Sequence, residues 1–259
     1  MHNIVFYFSG TGNCLKVAKT IAQELGSVEI VSMVKPQGYN LSKPYDTIGF
    51  VYPTYYWGLP KIVIEFIEKI KITNNEKAYF YAIATYGGNA ANAVSQMNEL
   101  LLKTHNIKLN YGQRLRMFPN YVLLYEMSKN VEKITKKSDK KLIPIINSIK
   151  KKENNTIKKP IKFFAAINND FVKKVSSIDK DYNVSNDCNG CGICKELCPV
   201  HNIQLVNNKP QFNHTCKQCV ACIQYCPQKA INYRNKTQKR RRYNHPEINY
   251  KELAESNLK

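Results

Sequence analysis

Short apolar runs alternate with helical patterns along the first part of the chain. Residues 4–8 are apolar and rich in aromatic and β-branched side chains, which favours a strand. From Asn13 to Gly26 the apolar positions have helical spacing, which is typical of an amphipathic helix that ends at a glycine. The same alternation predicts strands at 28–31, 47–52, 78–84 and 107–115, a helix that begins at Pro60, and a helix at 91–103. Such regular alternation requires a parallel sheet with helices on both faces.

The second half of the chain is more polar and more basic. Residues 129–174 contain 14 lysines against four acidic residues. Their apolar positions still have helical spacing, and Pro144 is expected either to bend this helix or to begin a second one. Residues 154–160 are typical of a connector. A polar tail begins at Lys236 and contains the basic run 239–242.

Composition indicates an ordinary folded protein. Of the 259 residues, 43% are hydrophobic and 22% are charged, which excludes a mostly disordered chain. No window approaches about 18 consecutive apolar residues, so we expect no membrane span. The first residues run directly into the first strand pattern, without a basic leader, an apolar stretch and a cleavage site in succession. We therefore expect a cytoplasmic protein.

Eight of the nine cysteines fall between residues 188 and 226, and the ninth is Cys14. In a reducing cytoplasm such a concentration indicates metal binding rather than disulfides. The spacing Cys-x2-Cys-x2-Cys-x3-Cys-Pro occurs twice. In runs of this kind three cysteines bind one 4Fe–4S cluster and the fourth binds the other cluster. The spacing therefore predicts two clusters, one bound by Cys188, Cys191, Cys194 and Cys226 and one bound by Cys216, Cys219, Cys222 and Cys198.

Two zinc ions, each bound by four cysteines, are the alternative. Zinc sites usually take their ligands from two separated pairs, whereas these cysteines run consecutively and close with Cys-Pro. Residues 183–234 resemble the bacterial ferredoxins that carry two 4Fe–4S clusters. The resemblance implies low-potential transfer of single electrons.

A second candidate site lies between the first strand and the first helix. Glycines in this loop permit tight turns, and its hydroxyls and backbone N–H groups, at the start of a helix, favour a phosphate. No lysine follows the last glycine, so the loop suits a phosphate that is bound rather than transferred. The residues of the loop are Ser9, Gly10, Thr11, Gly12, Asn13 and Cys14.

This loop resembles the phosphate loop of flavodoxins, which reads Ser/Thr-x-Thr-Gly-Asn-Thr. The resemblance implies that flavin mononucleotide (FMN) is bound here. The chain departs from the flavodoxin pattern at Cys14, where a hydroxyl is lost. A cysteine at this position is either a small packed residue or a redox-active thiol.

Two further loops follow the third and fourth strands, at the edge where ligands of open α/β sheets bind. Aromatic side chains in these loops can stack on a flavin ring, and glycines can offer backbone groups to its edge. We expect Tyr55, Trp57 and Tyr86 to flank the ring, and residues 117–121 either to form another wall or only to pack. The loops consist of Pro53, Thr54, Tyr55, Tyr56, Trp57 and Gly58 and of Thr85, Tyr86, Gly87, Gly88 and Asn89.

As a whole, the chain resembles the flavodoxin–ferredoxin fusion proteins of anaerobes. The resemblance implies an α/β fold, with a flavodoxin-like, doubly wound five-stranded parallel sheet followed by a small α+β ferredoxin domain with two 4Fe–4S clusters. It implies an FMN-binding domain with a lysine-rich helical extension at 1–178, the ferredoxin domain at 179–235 and a basic tail at 236–259. It also implies a cytoplasmic electron-transfer protein that passes single electrons between its clusters and FMN, and on to a redox partner protein.

Two other functions fit parts of the sequence. One is an FMN-dependent reductase of a small molecule that the clusters supply with electrons, and the other is a cluster-based redox sensor that binds nucleic acid. The net charge of +20 has three explanations: an acidic partner such as a ferredoxin or a reductase, nucleic acid or an anionic membrane surface, or solvated lysines without a partner. Assembly as a homodimer also stays open.

Overall fold

Five parallel strands form one sheet in the first half of the chain. They are β1 (Asn3–Tyr7), β2 (Val28–Ser32), β3 (Thr47–Pro53), β4 (Tyr79–Tyr86) and β5 (Tyr111–Arg116). Their order across the sheet is β2-β1-β3-β4-β5, so the winding direction reverses between β1 and β3. This is the flavodoxin-like order, and ligands of such sheets bind where the winding reverses.

The computed structural model describes residues 2–34 and 38–258. Outside the described residues lie Met1, residues 35–37 and Lys259. Met1 is the first residue of the predicted FMN-binding domain (1–178), and Lys259 is the last residue of the predicted basic tail (236–259). The bounds of the three predicted regions stay predictions. No helix in the described ranges is both long and apolar enough to cross a lipid bilayer.

The burial of the strands follows their place in the sheet. β1, β3 and β4 lie in the middle and are buried along nearly their whole length, because helices cover both faces. β2 and β5 lie at the edges and expose several side chains. β5 begins at Tyr111 rather than at residue 107, because the N–H of Leu109 donates to Asn98 of the preceding helix (2.9 Å) instead of to β4.

Three helices connect the strands: α1 (Asn13–Leu25), α2 (Lys61–Lys69) and α3 (Ala93–His105). α1 has the predicted span and ends at Gly26, whose N–H donates to a carbonyl of the last turn. α2 follows Pro60, as predicted. α3 begins later than predicted because Ala91 has a positive φ of 25°, which no helical residue adopts.

The lysine-rich stretch folds into α4 (Val131–Lys150) and α5 (Lys162–Lys174). α4 packs beside α1 on one face of the sheet, and α2 and α3 cover the other face. α4 passes through Pro144 as one helix, and the carbonyl that loses its partner belongs to exposed Lys140, which water can reach. The predicted connector at 154–160 is irregular, and its Asn155 exchanges two hydrogen bonds with Gly112 on the edge strand β5 (3.0 and 2.9 Å).

The cysteine-rich segment is a small α+β unit. It contains β6 (Tyr182–Val184), α6 (Ile193–Glu196), β7 (Ile203–Val206), β8 (Lys209–Phe212), α7 (Ala221–Gln224) and β9 (Ile231–Tyr233). β6 pairs antiparallel with β9, so the two ends of the segment lie side by side, and β7 pairs antiparallel with β8. That this unit is a ferredoxin domain stays a prediction.

The C-terminal tail differs from its prediction. The sequence predicts a polar tail, yet the side chains of Tyr243, His245, Ile248 and Leu253 are each at most 3% exposed. The tail ends in α8 (Tyr250–Leu258), which packs on the same face of the sheet as α1. Apolar side chains occur here singly among polar ones, so no periodicity in the sequence indicates their burial.

Candidate functional site

The loop between β1 and α1 is shaped by Ser9. The Ser9 Oγ accepts hydrogen bonds from the amides of Gly12 and Cys14 (3.0 and 3.2 Å), and Gly12 has a φ of 94°, which favours glycine. These contacts leave other amides at the N-terminus of α1, where the helix dipole favours an anion. Three amides of the loop have no acceptor among the described residues: those of Gly10, Thr11 and Asn13.

A cavity of about 190 Å³ opens beside this loop, at the carboxyl ends of the central strands. The two further loops predicted from the sequence also line it, and so does the stretch 117–121, through Met117, Phe118, Asn120 and Tyr121. No charged side chain is among the described residues that line the cavity. The predicted site residues that line it are Ser9, Gly10, Thr11, Asn13, Cys14, Pro53, Thr54, Tyr55, Tyr56, Thr85, Tyr86, Gly87, Gly88 and Asn89.

Three predicted site residues face protein instead of the cavity. Trp57 packs on Phe164 of α5, with ring centroids 5.7 Å apart, and does not line the cavity, and its place beside a flavin ring stays a prediction. A β-carbon on Gly58 would lie 2.1 Å from a side-chain oxygen of α3, and one on Gly12 would lie 2.9 Å from the side chain of Ile248. Gly58 therefore faces α3 and Gly12 faces the tail, and neither glycine lines the cavity.

Aromatic side chains form one wall of the cavity. Tyr56 stacks on Phe171 of α5 (4.3 Å between centroids, 13° between planes), and its hydroxyl lies 2.9 Å from that of Tyr121. The Tyr121 hydroxyl in turn accepts from the side chain of Gln218 in the cysteine-rich segment (3.1 Å). Asn168 of α5 donates to a carbonyl of the loop that carries Tyr56 (2.9 Å). The lysine-rich extension therefore positions a loop of the cavity.

Of two polar side chains that line the cavity, that of Thr54 has no hydrogen-bond partner among the described residues and that of Cys14 has one. The Thr54 Oγ1 is buried and has no hydrogen-bond partner in the part of the chain that the structure describes. The Cys14 Sγ lies 3.1 Å from the Thr85 Oγ1, and burial raises the pKa of Cys14 to about 12. Cys14 is therefore a neutral thiol near pH 7, which favours the packed residue over the redox-active thiol.

The other eight cysteines surround two smaller cavities. Each cavity takes three cysteines from one repeat and the fourth from the other, which is the grouping that the spacing predicts. The first is lined by Cys188, Cys191, Cys194 and Cys226 and the second by Cys198, Cys216, Cys219 and Cys222. Within residues 2–34 and 38–258, no group of three or more histidine, cysteine, aspartate or glutamate side chains is placed to bind a metal ion. Iron–sulfur ligation stays a prediction.

Backbone amides point at several of these sulfurs. The Sγ atoms of Cys198, Cys216 and Cys226 accept hydrogen bonds from amides two or four residues further along the chain (3.2 to 3.3 Å). Burial raises the pKa of Cys216 to about 12 and that of Cys194 to about 11, and neighbouring cysteines add to both shifts. At Cys194, Cys198 and Cys216, backbone hydrogen bonds act against the effect of burial and favour the thiolate form.

The second cysteine cavity shares a wall with the large cavity. Cys219 and Val220 line both of them. The loop that carries Cys219 and Val220 lies close to the loop between β1 and α1, because a β-carbon on Gly10 would lie 2.2 Å from the carbonyl oxygen of Cys219. The sequence does not indicate this contact, since the two loops are far apart along the chain.

The buried tail packs against the outer side of the same loop. The Tyr243 hydroxyl donates to the Asn13 side chain (2.7 Å), and the Tyr243 ring stacks on Phe118 (4.3 Å). The backbone N–H of His245 donates to the Thr11 carbonyl (2.8 Å). The tail therefore fixes the loop between β1 and α1 from the side that faces away from the cavity.

The burial of His245 predicts a stability that depends on pH. The residue is 1% exposed, its Nδ1 accepts from the Glu247 N–H (3.3 Å), and its Nε2 has no partner among the described residues. Burial lowers its pKa from 6.5 to about 4, with smaller effects from Glu247 and Lys16. The unfolded chain therefore binds the proton more readily, so stability falls as the pH drops below about 6.5 toward 4. We expect this group to cost about 2 kcal/mol of unfolding free energy at about pH 5.

Urea unfolding at about pH 7.5 and about pH 5 measures this effect, with His245→Gln as the matched variant. Glutamine fills a similar volume but does not titrate, so the variant is expected to lose about 2 kcal/mol less than the wild type over this interval. Equal losses in the two proteins would show that His245 is not the group responsible.

Comparison with known proteins bears on the first part of the chain. A family model described as a flavodoxin domain matches residues 4–118, which is less than half of the chain. None of the curated proteins matches the chain. The family match covers the five-stranded sheet and ends before α4, so it agrees with the flavodoxin-like strand order.

Three solved structures are similar in fold to part of this chain, at low sequence identity. A flavodoxin from the domain Archaea is 18% identical over 58% of this chain and 99% of its own, with a TM-score of 0.38. Rubredoxin oxygen:oxidoreductase from Desulfovibrio gigas is 16% identical over 58% of this chain and 35% of its own (TM-score 0.41). A flavoprotein from Lactobacillus acidophilus NCFM in complex with FMN is 15% identical over 44% of this chain and 92% of its own (TM-score 0.34). Similarity this distant carries no argument about function.

Proposed function

We propose that the protein is an electron-transfer flavoprotein. In this proposal FMN binds in the large cavity, one 4Fe–4S cluster binds in each cysteine cavity, and single electrons pass between these centres and on to a redox partner protein. The observation that carries the proposal is the shared wall of Cys219 and Val220, which joins the large cavity to the second cysteine cavity.

The residues of the large cavity fit FMN. The amides of Gly10, Thr11 and Asn13 have no acceptor among the described residues and can donate to a phosphate. The buried hydroxyl of Thr54 has no partner in the same part of the chain, and a bound ligand can supply the partner that such a group needs. Tyr56 and its neighbours offer aromatic surface to a flavin ring. The flavodoxin family match at residues 4–118 supports the same ligand.

The two cysteine cavities fit 4Fe–4S clusters. A cluster of this type takes one thiolate on each of its four irons, and each cavity is lined by four cysteines. Amide hydrogen bonds to Cys198, Cys216 and Cys226 are the contacts by which proteins stabilise cluster thiolates. Because burial raises the pKa of Cys194 and Cys216, both thiols need a cationic centre to become thiolates at neutral pH.

When bound, FMN exchanges one or two electrons and each cluster exchanges one, so together they can join a two-electron reaction to a one-electron partner. The chain's own residues set the geometry for this. The contact between Gly10 and Cys219 keeps the large cavity next to the second cysteine cavity. The first cysteine cavity is lined by Cys191, which is exposed. A redox partner can therefore exchange electrons with the protein at this cavity.

The partner in this proposal is an acidic redox protein. The net charge of +20 would steer such a partner toward the molecule by complementary charge. Solvated lysines without a partner are the alternative explanation of the same charge.

Anaerobic reconstitution with iron, sulfide and FMN tests the proposal. We expect about eight irons, about eight sulfides and about one FMN per chain. Full cluster content without FMN would contradict the flavin site, and less than about one cluster would contradict the cysteine sites. If the loaded protein instead turns over small-molecule acceptors rapidly, the reductase is the better description.

A further inference from the structure

Arg242 in the tail has a half-buried side chain that lies beside the cysteine-rich segment. Its Nη2 donates to the Ile231 carbonyl and the Asn232 Oδ1 (3.2 and 2.8 Å), both on β9. Its Nε and Nη1 are buried and have no acceptor among the described residues. Buried N–H groups of a cation without acceptors are costly, so they indicate an anionic partner that the protein atoms do not supply.

The cysteines of both cavities lie near this guanidinium. Burial lowers the pKa of Arg242, and the electrostatic effects of Cys226, which lines the first cavity, and of Cys222, which lines the second, act against that lowering. Ile231, whose carbonyl accepts from Arg242, also lines the first cavity. The guanidinium therefore lies close to both predicted clusters.

The other arginines of the basic run differ in this respect. The Arg240 guanidinium donates to the carbonyl of Val122 (2.7 Å), which lines neither cysteine cavity. Arg241 is exposed, and its backbone N–H donates to Glu126 (2.9 Å). Arg241 thus carries the same charge next to Arg242 in the chain, with solvent around it.

We propose that Arg242 is a positioning residue that gives both clusters a shared positive charge and two N–H donors, and so raises their reduction potentials. This inference rests on the proposed function, because it requires clusters in the two cysteine cavities. Reduction adds negative charge to a cluster, and a fixed cation nearby stabilises the reduced form more than the oxidised form. Hydrogen bonds toward the sulfurs act in the same direction.

The test is an anaerobic titration of the reconstituted protein, with the midpoint potential of each cluster followed by electron paramagnetic resonance. Arg242→Gln is expected to lower the equilibrium constant for one-electron reduction of the clusters about tenfold, which is about 59 mV in potential. Arg241→Gln removes the same formal charge from an exposed position and is expected to change the constant less than about twofold, because solvent screens it. Arg242→Lys keeps the charge but loses the planar fork of N–H donors, so its equilibrium constant for reduction is expected to lie between those of the wild type and Arg242→Gln.

The outcomes separate the inference from the function on which it rests. Wild-type protein without iron and sulfide would overturn both. Wild-type protein with both clusters, together with equal potentials in the Arg242→Gln and Arg241→Gln variants, would overturn the role of Arg242 alone. If the Arg242→Gln variant does not retain iron, the Arg242→Lys variant is the test. Cluster potentials lower than in the wild type would support the inference, and unchanged cluster potentials would overturn it.

Discussion

Replacing Cys188 and Cys226 together with alanine is expected to leave about four irons per chain, whereas replacing Cys188 and Cys198 together is expected to leave almost none. Cys188 and Cys226 line the same cavity although they belong to different repeats, so under the proposed function the first pair of changes removes two ligands from one cluster. Cys188 and Cys198 belong to the same repeat but line different cavities, so under the same proposal the second pair removes one ligand from each cluster.

Iron and sulfide analysis after anaerobic reconstitution measures this difference. If each repeat bound its own cluster, the order of the two variants would be reversed, and the exchange of the fourth cysteine would be wrong. Cys14→Ala is the matched control. Its thiol is buried beside Thr85, outside both cysteine cavities, so we expect it to keep about eight irons.

The second large effect is expected at Gly10. A β-carbon there would lie 2.2 Å from the backbone oxygen of Cys219, and a backbone oxygen cannot turn aside as a side chain can. Gly10→Ala must therefore separate the loop between β1 and α1 from the loop that carries Cys219. We expect FMN to bind at least about tenfold more weakly, because the amides that are proposed to donate to its phosphate move with Gly10. The cluster content is expected to stay close to that of the wild type.

Titration of the flavin-free protein with FMN measures the affinity, and iron analysis of the same samples measures the clusters. Gly88→Ala is the matched comparison at the same cavity, because a β-carbon at Gly88 would have no described atom within 4 Å apart from its own residue and its two chain neighbours. We expect its FMN affinity to stay within about threefold of the wild type. Equal FMN affinity in Gly10→Ala and the wild type would show that the contact with Cys219 does not shape the flavin site.

The parts of this fold that the sequence predicts are those that local patterns control. α1 has its predicted span because apolar spacing and Gly26 both depend on neighbouring residues. The grouping of the cysteines around two cavities also follows spacing, because short loops leave few ways to bring ligands together. The start of β5 is less predictable, since a side chain of α3 rather than the local sequence decides where the ladder begins.

Contacts between distant segments account for what the sequence does not reveal. Trp57 is the type of residue that stacks on a flavin ring, but its ring contacts Phe164, which lies more than a hundred positions away in the chain. The tail has a polar sequence, yet Tyr243 and His245 bind the loop between β1 and α1. Neither contact has a periodicity that could signal it, because each depends on how α5 and the tail return to the sheet.

The most direct test is the rate of electron transfer within the fully reconstituted protein, measured by anaerobic flash photolysis that reduces the clusters and follows the flavin absorbance. The shared wall of Cys219 and Val220 predicts a first-order transfer whose rate constant does not change when the protein is diluted about tenfold, because both centres belong to one chain. A rate that falls in proportion to the protein concentration, or a flavin that never receives the electron, would contradict transfer across this wall.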